Sequence, residues 1–229
     1  ILENLKINMN LLESCIPYPN IKIINLGSSC IYPLEALNPI IEDSFMTGKL
    51  EPTNSPYAMA KIASIEIGRS ISGQYGHNVI NLMPTNLYGP NDFYSKTDSH
   101  VIPGLIYRMH NAKIKRENAF YIWGTGSPLR EFLYVDDLAL AIKFILDNKI
   151  SQDLLNIGSG QEISIKDLAI KIKKIIGYEG SLDFDSTKPD GNPRKLLDSS
   201  AINNLGWESS ISLDEGLEKS YEWFLNNKI

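Results

Sequence analysis

The sequence predicts an α/β protein built around a parallel sheet. Short apolar runs such as residues 21–26 and 79–87 end at glycine or at Tyr88-Gly89-Pro90, as buried parallel strands do. Segments with helical periodicity separate these runs, and that alternation is typical of parallel sheets with crossover helices. A chain of 229 residues, of which 43% are hydrophobic and 21% charged, is also long enough to bury a substantial core.

Composition excludes several classes of protein. The chain carries 22 basic and 27 acidic residues, and this net charge of −5 gives no electrostatic reason to expect a nucleic-acid partner. No stretch reaches the roughly 20 apolar residues of a membrane-spanning helix, so no membrane association is expected. Two cysteines, Cys15 and Cys30, are too few for a disulfide framework, which predicts a reducing, cytoplasmic environment. No spacing of His or Cys is typical of zinc, so no metal is expected.

The elements of the first half follow in chain order. Apolar residues at helical spacing in residues 1–15 predict a helix with one buried face, formed by Leu2, Leu5, Met9 and Leu12. A strand over 21–26 follows, then a polar loop. The segment 57–75 carries isoleucines at helical spacing, and Asn54 is a suitable N-cap for it. Residues 79–87 then predict the second strand.

The second half continues the alternation. Ser164 and Asp167 form a variant of the capping box. Two acids, Asp136 and Asp137, suit the first turn of a helix and are explained without a metal. His77 and His110 are expected on the surface. The predicted elements are helices at 101–110, 136–147, 164–176, 199–205 and 212–225 and strands at 119–123, 131–135, 154–157 and 182–184.

Three features fall where active sites of such sheets lie, at the carboxyl ends of strands. Residues 27–30 (Gly-Ser-Ser-Cys) follow the first strand, and 84–86 (Pro-Thr-Asn) end the second. Tyr57 and Lys61 are four residues apart on the helix between, hence on one face. A nearby ammonium lowers the pKa of a phenol from about 10, and the Ser28 hydroxyl can hydrogen-bond the same oxygen. The set predicts a proton donor for a ketone that receives a hydride, although the Tyr-Lys pair alone would fit a packing tyrosine and a solvated lysine.

The sequence resembles the extended short-chain dehydrogenase/reductase family of nucleotide-sugar enzymes, and within it the GDP-4-keto-6-deoxy-D-mannose 3,5-epimerase/4-reductases. Three motifs, GSSCIYP, SHVIP and KPDGNPRKLLD, are specific to this branch. The matching stretches are spread over nearly the whole chain; they are LGSSCIYP (26–33), LEPTNSPYAMAKIA (50–63), MPTNLYGPND (83–92), SHVIP (99–103), WGTGSPLREFLYVDD (123–137), NIGSG (156–160) and KPDGNPRKLLD (188–198).

The resemblance implies a Rossmann-like parallel sheet with a smaller substrate-binding lobe. Residues 1–90 and 131–160 would be the remainder of the cofactor-binding domain, and residues 91–130 and 161–229 the lobe. The family begins with a strand and a glycine fingerprint, G-x-x-G-x-x-G, which holds the cofactor pyrophosphate at a helix N-terminus. This sequence has no such fingerprint. We therefore expect a chain truncated at its N-terminus that lacks the first β-α units, where much of the preference for NADP over NAD is set.

The resemblance also implies a reaction and its residues. The expected enzyme is an NADP-dependent oxidoreductase with epimerase activity: it epimerises the keto-sugar at C3 and C5 and reduces C4 with NADPH, giving GDP-L-fucose. Cys30 and His100 match the acid–base pair of epimerisation, and Ser28, Tyr57 and Lys61 match the reductase triad. The residues that match contacts to the nicotinamide end of the cofactor are Leu26, Gly27, Ser28, Ser29, Lys61, Pro84, Thr85, Asn86, Leu87 and His100.

Substrate contacts are expected from a second set. Arg108, Trp123 and Arg130 match substrate-binding positions of the family. Arg194 and Lys195 are added because a diphosphate needs positive charge in an acidic protein. Family members pair through the helix that carries Tyr57, which implies a homodimer.

Two other functions remain open from the sequence. The first is another sugar-nucleotide epimerase or dehydratase of the same family, although a dehydratase would carry Thr-Asp-Glu in place of Ser28-Ser29-Cys30. The second is a catalytically inert fragment that acts only as a binding module.

Overall fold

The computed structural model describes residues 1–227. Its helices are α1 (Leu2–Cys15), α2 (Ser55–Tyr75), α3 (Val101–Ile114), α4 (Val135–Asp147), α5 (Ile165–Ile176), α6 (Ser200–Asn204) and α7 (Leu213–Asn227). Its strands are β1 (Lys22–Leu26), β2 (Asn78–Pro84), β3 (Asn86–Tyr88), β4 (Ala119–Trp123), β5 (Leu129–Tyr134), β6 (Leu154–Ile157), β7 (Glu162–Ser164), β8 (Ser181–Asp185) and β9 (Arg194–Lys195). Alternating helices and parallel strands confirm the predicted α/β class.

The described chain divides into two compact units, each built from three segments. The first unit contains residues 1–85, 138–160 and 196–208, and the second contains residues 86–137, 161–195 and 209–227. These boundaries differ from the predicted ones in three places. Residues 86–90 fall in the second unit, where β3 pairs with β5. Residues 131–137 fall in the second unit because β5 pairs there with β3, β7 and β9. Residues 196–208 fall in the first unit, where Leu197 forms a bridge with Ile40. That one unit binds cofactor and the other substrate stays a prediction.

The first unit contains a parallel sheet in the order β1-β2-β6. Leu26 is in register with Leu82, and Pro84 with Ile157, so the carboxyl ends of the three strands lie together. Helix α2 packs closely on this sheet, since a Cβ on Gly68 would lie 2.9 Å from Cγ1 of Val79. The buried cluster at this end of the sheet comprises Ile31, Tyr32, Ile40, Ile62, Ile65, Met83, Leu154 and Leu197.

Helix α1 has the predicted bounds but not the predicted buried face. Leu12 is buried and packs with Ile71 and Val79, whereas Leu2 and Met9 are 70% and 50% exposed. Only the last turns of α1 therefore reach the core of the first unit. The helical periodicity identified the element correctly, but the depth of its burial depends on the position of α2.

The second unit holds two small sheets and its own core. Strand β5 lies between β3, which is parallel to it, and β7, which is antiparallel, and β9 also pairs with β5. Strands β4 and β8 form a separate parallel pair. Ser164 caps α5 as predicted, because its hydroxyl accepts the backbone N–H of Asp167 at 2.9 Å. The helices α3, α5 and α7 supply most of the buried residues of this core.

The predicted strand 79–87 is in fact two strands. β2 ends at Pro84 and β3 begins at Asn86, and the Thr85 N–H donates to the Ile157 carbonyl at 3.0 Å. The strand changes partner at this residue: β2 pairs with β6 in the first unit and β3 with β5 in the second. The cofactor-contact group predicted at residues 84–87 is therefore divided between the units.

Both histidines expected on the surface are buried instead. His77 is 3% exposed and its Nε2 lies 3.1 Å from the Ile16 carbonyl. His110 is 8% exposed, its Nδ1 is 2.9 Å from the Tyr221 hydroxyl, and burial with Lys113 nearby lowers its pKa. These partners are distant in sequence, so no local pattern revealed them.

Candidate active site

The loop after β1 is held in a tight turn at the end of the strand. A 3₁₀ turn spans Ser29–Ile31, and the Ser28 hydroxyl accepts the backbone N–H of Cys30 at 3.2 Å. Gly27 packs directly on Met83, because a Cβ at position 27 would lie 2.2 Å from Cε of that methionine. A larger side chain here would have to displace the end of Met83, and the turn presents Ser28 and Cys30 at the carboxyl edge of the sheet.

Tyr57 and Lys61 lie in the first two turns of α2 and meet this loop. The Lys61 ammonium donates to the Leu26 carbonyl at 2.8 Å and lies 5.8 Å from the centroid of the Tyr57 ring. The Ser28 side chain hydrogen-bonds Tyr57, and Cys30 is close enough to interact electrostatically with it. The structure thus brings together Ser28, Cys30, Tyr57 and Lys61 within the first unit.

The electrostatics of this cluster differ from the expectation for Tyr57. Burial raises the pKa of the Tyr57 hydroxyl above its ordinary value, the electrostatic interaction with Cys30 raises it further, and the Ser28 hydrogen bond lowers it. Burial also lowers the pKa of Lys61. The predicted decrease for Tyr57 is wrong because burial of the hydroxyl outweighs the effects that lower its pKa. A raised pKa keeps the proton on Tyr57 at neutral pH, the form that a proton donor needs.

The residues of this edge suit the nicotinamide end of a dinucleotide. The Cβ side of Gly27 is filled by the end of the Met83 side chain, so these two residues pack together at the carboxyl edge of the sheet. An ammonium has three protons, and the Leu26 carbonyl accepts one of those on Lys61, so donors remain for a ribose diol. Pro84 and Thr85 follow on β2 in the same unit, whereas Asn86, Leu87 and His100 lie in the second unit.

Arg108 and Arg130 lie in the second unit, each partly buried. The Nε of Arg108 donates to the Gly104 carbonyl one turn earlier in α3, and its guanidinium lies 5.4 Å from the centroid of the Phe120 ring. Arg130 donates to the Leu129 carbonyl at 2.7 Å. Burial lowers the pKa of both guanidinium groups, and for Arg130 the nearby Asp190 opposes that change. Each arginine is thus oriented by backbone of its own unit.

Trp123 and the glycine-rich turn that follows it (residues 124–128) lie beside the loop that contains Asp190. Trp123 is 71% exposed, and the Lys188 ammonium lies 6.0 Å from its ring centroid. Asp190 accepts the backbone N–H of Thr125 at 2.8 Å, which ties the two loops together. A large exposed aromatic ring held in this way is suited to stacking on a flat ligand group.

Arg194, Lys195 and His100 all lie in the second unit. Arg194 is exposed and forms an ion pair with Glu162, with its Nε 2.8 Å from a carboxylate oxygen, so its charge is already compensated. Lys195 is paired in register with Arg130 through β9 and β5. His100 is the exposed N-cap residue of α3, and its carbonyl accepts the N–H of Gly104.

Three buried or half-buried asparagines near this edge received no role from the sequence. Asn25, Asn81 and Asn156 each lie within one of the three parallel strands of the first unit. The Asn25 amide donates to Asn81 at 2.8 Å and accepts from the Ser64 hydroxyl at 3.1 Å, which links β1 to β2 and α2. An amide in an apolar run such as LLNI is the signal that could have identified them, because a buried polar group requires partners.

Within residues 1–227, no group of three or more His, Cys, Asp or Glu side chains is arranged to hold a metal ion. In the same part of the chain, every helix is too short or too polar to span a bilayer.

Comparison with known proteins assigns the chain to a family. The model of the NAD dependent epimerase/dehydratase family matches residues 1–158. GDP-L-fucose synthase 1 of Arabidopsis thaliana is 50% identical over 224 residues, which are 98% of this chain and 69% of that protein. GDP-L-fucose synthase of Escherichia coli K12 is 44% identical over 239 residues, covering all of this chain and 74% of that protein.

A solved structure agrees with the two sequence relatives. The GDP-L-fucose synthetase of Naegleria fowleri bound to NADP has a TM-score of 0.91 and 28% sequence identity, and the match covers 99% of this chain and 73% of that one. The resemblance in fold therefore extends over the chain segments of both units. The chain belongs to the NAD-dependent epimerase/dehydratase family, in which the GDP-L-fucose synthases are its relatives.

Proposed function

We propose that the chain supports the reaction of a GDP-L-fucose synthase, with NADPH as reductant. The keto-sugar would be epimerised at C3 and C5 and reduced at C4. The observation that carries the proposal is the cluster of Ser28, Cys30, Tyr57 and Lys61 at one sheet edge, in a chain 50% and 44% identical to two such synthases.

Epimerisation needs a base on one face of the sugar ring and an acid on the other. The C4 ketone acidifies the C–H bonds at C3 and C5, so a base can remove either proton and leave an enolate. We assign Cys30 and His100 to this exchange. Cys30 is half-buried in the turn beside Tyr57, and His100 is exposed at the start of α3. Epimerisation removes a ring proton and then returns one. A thiol and an imidazole suit this exchange because each can take up or release a proton near neutral pH.

Reduction needs a hydride for C4 and a proton for its oxygen. Bound NADPH supplies the hydride. We assign the proton to Tyr57, whose raised pKa keeps the hydroxyl protonated, and its orientation to the Ser28 hydrogen bond. The Leu26 carbonyl fixes the Lys61 ammonium. From that position the ammonium can donate to the ribose of the cofactor. The roles of Leu26–Ser29, Pro84–Leu87 and His100 toward the nicotinamide are part of the same proposal.

The GDP-sugar would be held by the second unit. The partly buried guanidinium groups of Arg108 and Arg130 suit the diphosphate, since an arginine fork makes paired hydrogen bonds to phosphate oxygens. Trp123 offers an exposed ring. Arg194 is a weaker candidate than the sequence suggested, because Glu162 compensates its charge. We further propose that the first unit binds cofactor and the second substrate.

The protein's assembly and compartment are also proposals. Helix α2 exposes Met59, which is 47% accessible, beside the catalytic cluster, and this face suits pairing with a second copy. A homodimer with a GDP-sugar as its small-molecule partner fits this arrangement. Sedimentation of the chain with Met59→Glu would test the pairing. A cytoplasmic location is consistent with two cysteines that are not joined in a disulfide.

The proposal is tested by product analysis. The protein is incubated with GDP-4-keto-6-deoxy-D-mannose and NADPH, and the products are separated and identified by proton NMR. We expect GDP-L-fucose, with one NADPH oxidised per molecule formed. A 6-deoxy sugar of unchanged configuration at C3 and C5 would indicate a reductase alone, and no turnover of the sugar with retained ligand binding would favour a binding module.

A further inference from the structure

Asn156 is completely buried at the carboxyl end of β6 and connects three segments of the first unit. Its side-chain amide donates to the Ile40 carbonyl at 2.9 Å and to the Asp198 carbonyl at 3.1 Å. Its side-chain oxygen accepts the Tyr32 hydroxyl at 2.6 Å. The backbone N–H of the same residue donates to the Glu42 carboxylate at 2.9 Å. Both donors and the acceptor of the amide are thus used together.

Tyr32 connects Asn156 to the turn that carries Cys30. It follows the 3₁₀ turn Ser29–Ile31, and its N–H donates to the Ser29 carbonyl at 3.4 Å. The side chain is only 3% exposed, and burial raises the pKa of its hydroxyl, so it acts as a neutral donor. Because Ile31 is also fully buried, the turn is anchored on one side of Cys30 by a packed ring and a short hydrogen bond.

We propose that Asn156 is a positioning residue for Cys30, acting through Tyr32. The inference rests on the proposed function, in which Cys30 exchanges the sugar ring protons. An amide is suited to this task because it accepts from Tyr32 while it donates to two carbonyls; a leucine could do neither, and a carboxylate could not donate when ionised. Displacing a reacting group by about 1 Å lowers the rate by as much as about 100-fold, so the anchor of the turn sets the rate of exchange.

The mildest test is Tyr32→Phe, which removes one hydroxyl and keeps the buried ring. Its matched control is Tyr178→Phe in the second unit, where a buried tyrosine likewise donates one hydrogen bond, to the Glu117 carbonyl at 2.9 Å. We expect deuterium entry at C3 and C5 of the keto-sugar in heavy water to fall about tenfold in Tyr32→Phe only. NADPH-binding stoichiometry should be unchanged in both variants, since a merely destabilised protein would lose it.

Alkylation of Cys30 by iodoacetamide gives a readout that does not require turnover. Cys15, the other half-buried cysteine, is the internal reference. We expect the ratio of Cys30 to Cys15 alkylation, read by peptide mass spectrometry, to change at least about threefold in Tyr32→Phe and to stay constant in Tyr178→Phe. If the wild-type protein exchanges no ring protons, the proposed function fails, and the alkylation ratio alone still decides whether Tyr32 positions the thiol.

The route through Tyr32 is tested with Asn156→Ala. If Asn156 acts through Tyr32, the double variant Asn156→Ala/Tyr32→Phe should lose no more deuterium exchange than Asn156→Ala alone. The hydrogen bond between Tyr32 and Asn156 is already absent in that single variant. Losses that multiply in the double variant would show two independent effects and overturn the route. If Asn156→Ala does not fold, the Tyr32→Phe result stands: unchanged exchange and an unchanged alkylation ratio would refute the positioning role.

Discussion

The proposed catalytic groups and the proposed substrate-binding groups are organised differently. In the first unit, Ser28, Cys30, Tyr57 and Lys61 interact with one another or with the same short loop, and the pKa of Tyr57 depends on two of the others. In the second unit, Arg108 and Arg130 are each fixed by their own nearby backbone.

This difference has a consequence for mutation. Changing one member of an interacting cluster alters the others, so effects in the first unit should be large and not additive. Groups that are fixed independently should contribute separately, so effects in the second unit should be smaller and should add. Small, additive effects of substitutions in the first unit, or large, non-additive effects in the second, would contradict this difference.

The largest effect is expected for Tyr57→Phe. Loss of the proton donor should lower NADPH oxidation by roughly 10²–10⁴-fold, while deuterium exchange at C3 and C5 continues. NADPH absorbance and proton NMR in heavy water measure the two steps. Because the pKa of Tyr57 is raised above 10.0, its proton is present at all lower pH values, and the wild-type reduction should not lose this donor between pH 7 and 9. The raised pKa would be contradicted if the wild-type reduction rate fell between pH 7 and 9 and this pH dependence were lost in Tyr57→Phe.

Cys30→Ala should have the converse effect. Without its thiol, exchange at C3 and C5 should fall by a factor of roughly 10²–10⁴, whereas slow reduction of the unepimerised ketone continues through Tyr57. The same variant removes the electrostatic interaction with Cys30 that raises the pKa of Tyr57, so that pKa should fall. Carbon NMR of labelled tyrosine would follow the titration. Normal ring exchange would leave Cys30 as a small packing residue.

Arg108→Ala and Arg130→Ala should each weaken substrate binding to an intermediate extent. Losing a charge-assisted hydrogen bond costs about 1.5–3 kcal/mol, which is roughly a 10- to 150-fold rise in KM for the GDP-sugar. KM for NADPH should change little. The free-energy effects of the two substitutions should add in the double variant, measured by steady-state kinetics. A double variant no worse than either single one would show that the arginines act as one cluster.

Arg194→Ala should have the smallest effect. Its guanidinium is exposed and bound to Glu162, so the substitution removes a surface ion pair and should change KM for the GDP-sugar by less than about twofold. The matched control is Glu162→Gln, which keeps Arg194 and releases its charge. A large increase in KM for Arg194→Ala alone would restore Arg194 to the substrate site.

Local pattern predicted the elements well and their partners less well. The helix carrying Tyr57 and Lys61 follows from isoleucines at helical spacing, and the strands before Gly27 and Gly158 follow from apolar runs that end at glycine. The division at Thr85 was missed because residues 79–87 were read as one strand, whereas a change of hydrogen-bond partner separates β2 from β3. Strand pairing is a property of distant segments, which a single run does not record.

The same limit applies to the candidate site. Motifs and spacing placed Ser28, Tyr57 and Lys61 together, since each lies at or beside the end of one strand. They did not give the pKa of Tyr57, which depends on how deeply its hydroxyl is buried and on its contacts with Cys30 and Ser28. Nor did they give the ion pair of Arg194, whose partner is 32 residues away in sequence. Orientation and pairing depend on tertiary contacts.

Interleaving of the two units constrains how the chain is made. Three segments of one unit alternate with three of the other, so the polypeptide passes between them five times, and the last segment of the first unit ends at residue 208. During synthesis, the parallel sheet of the first unit must wait for Leu197 and Ile202 before its core closes. A single proteolytic nick at one passage would release neither unit, and no one contiguous fragment can be expressed as either. Any attempt to isolate a half of this protein must therefore begin by rearranging its gene rather than by shortening it.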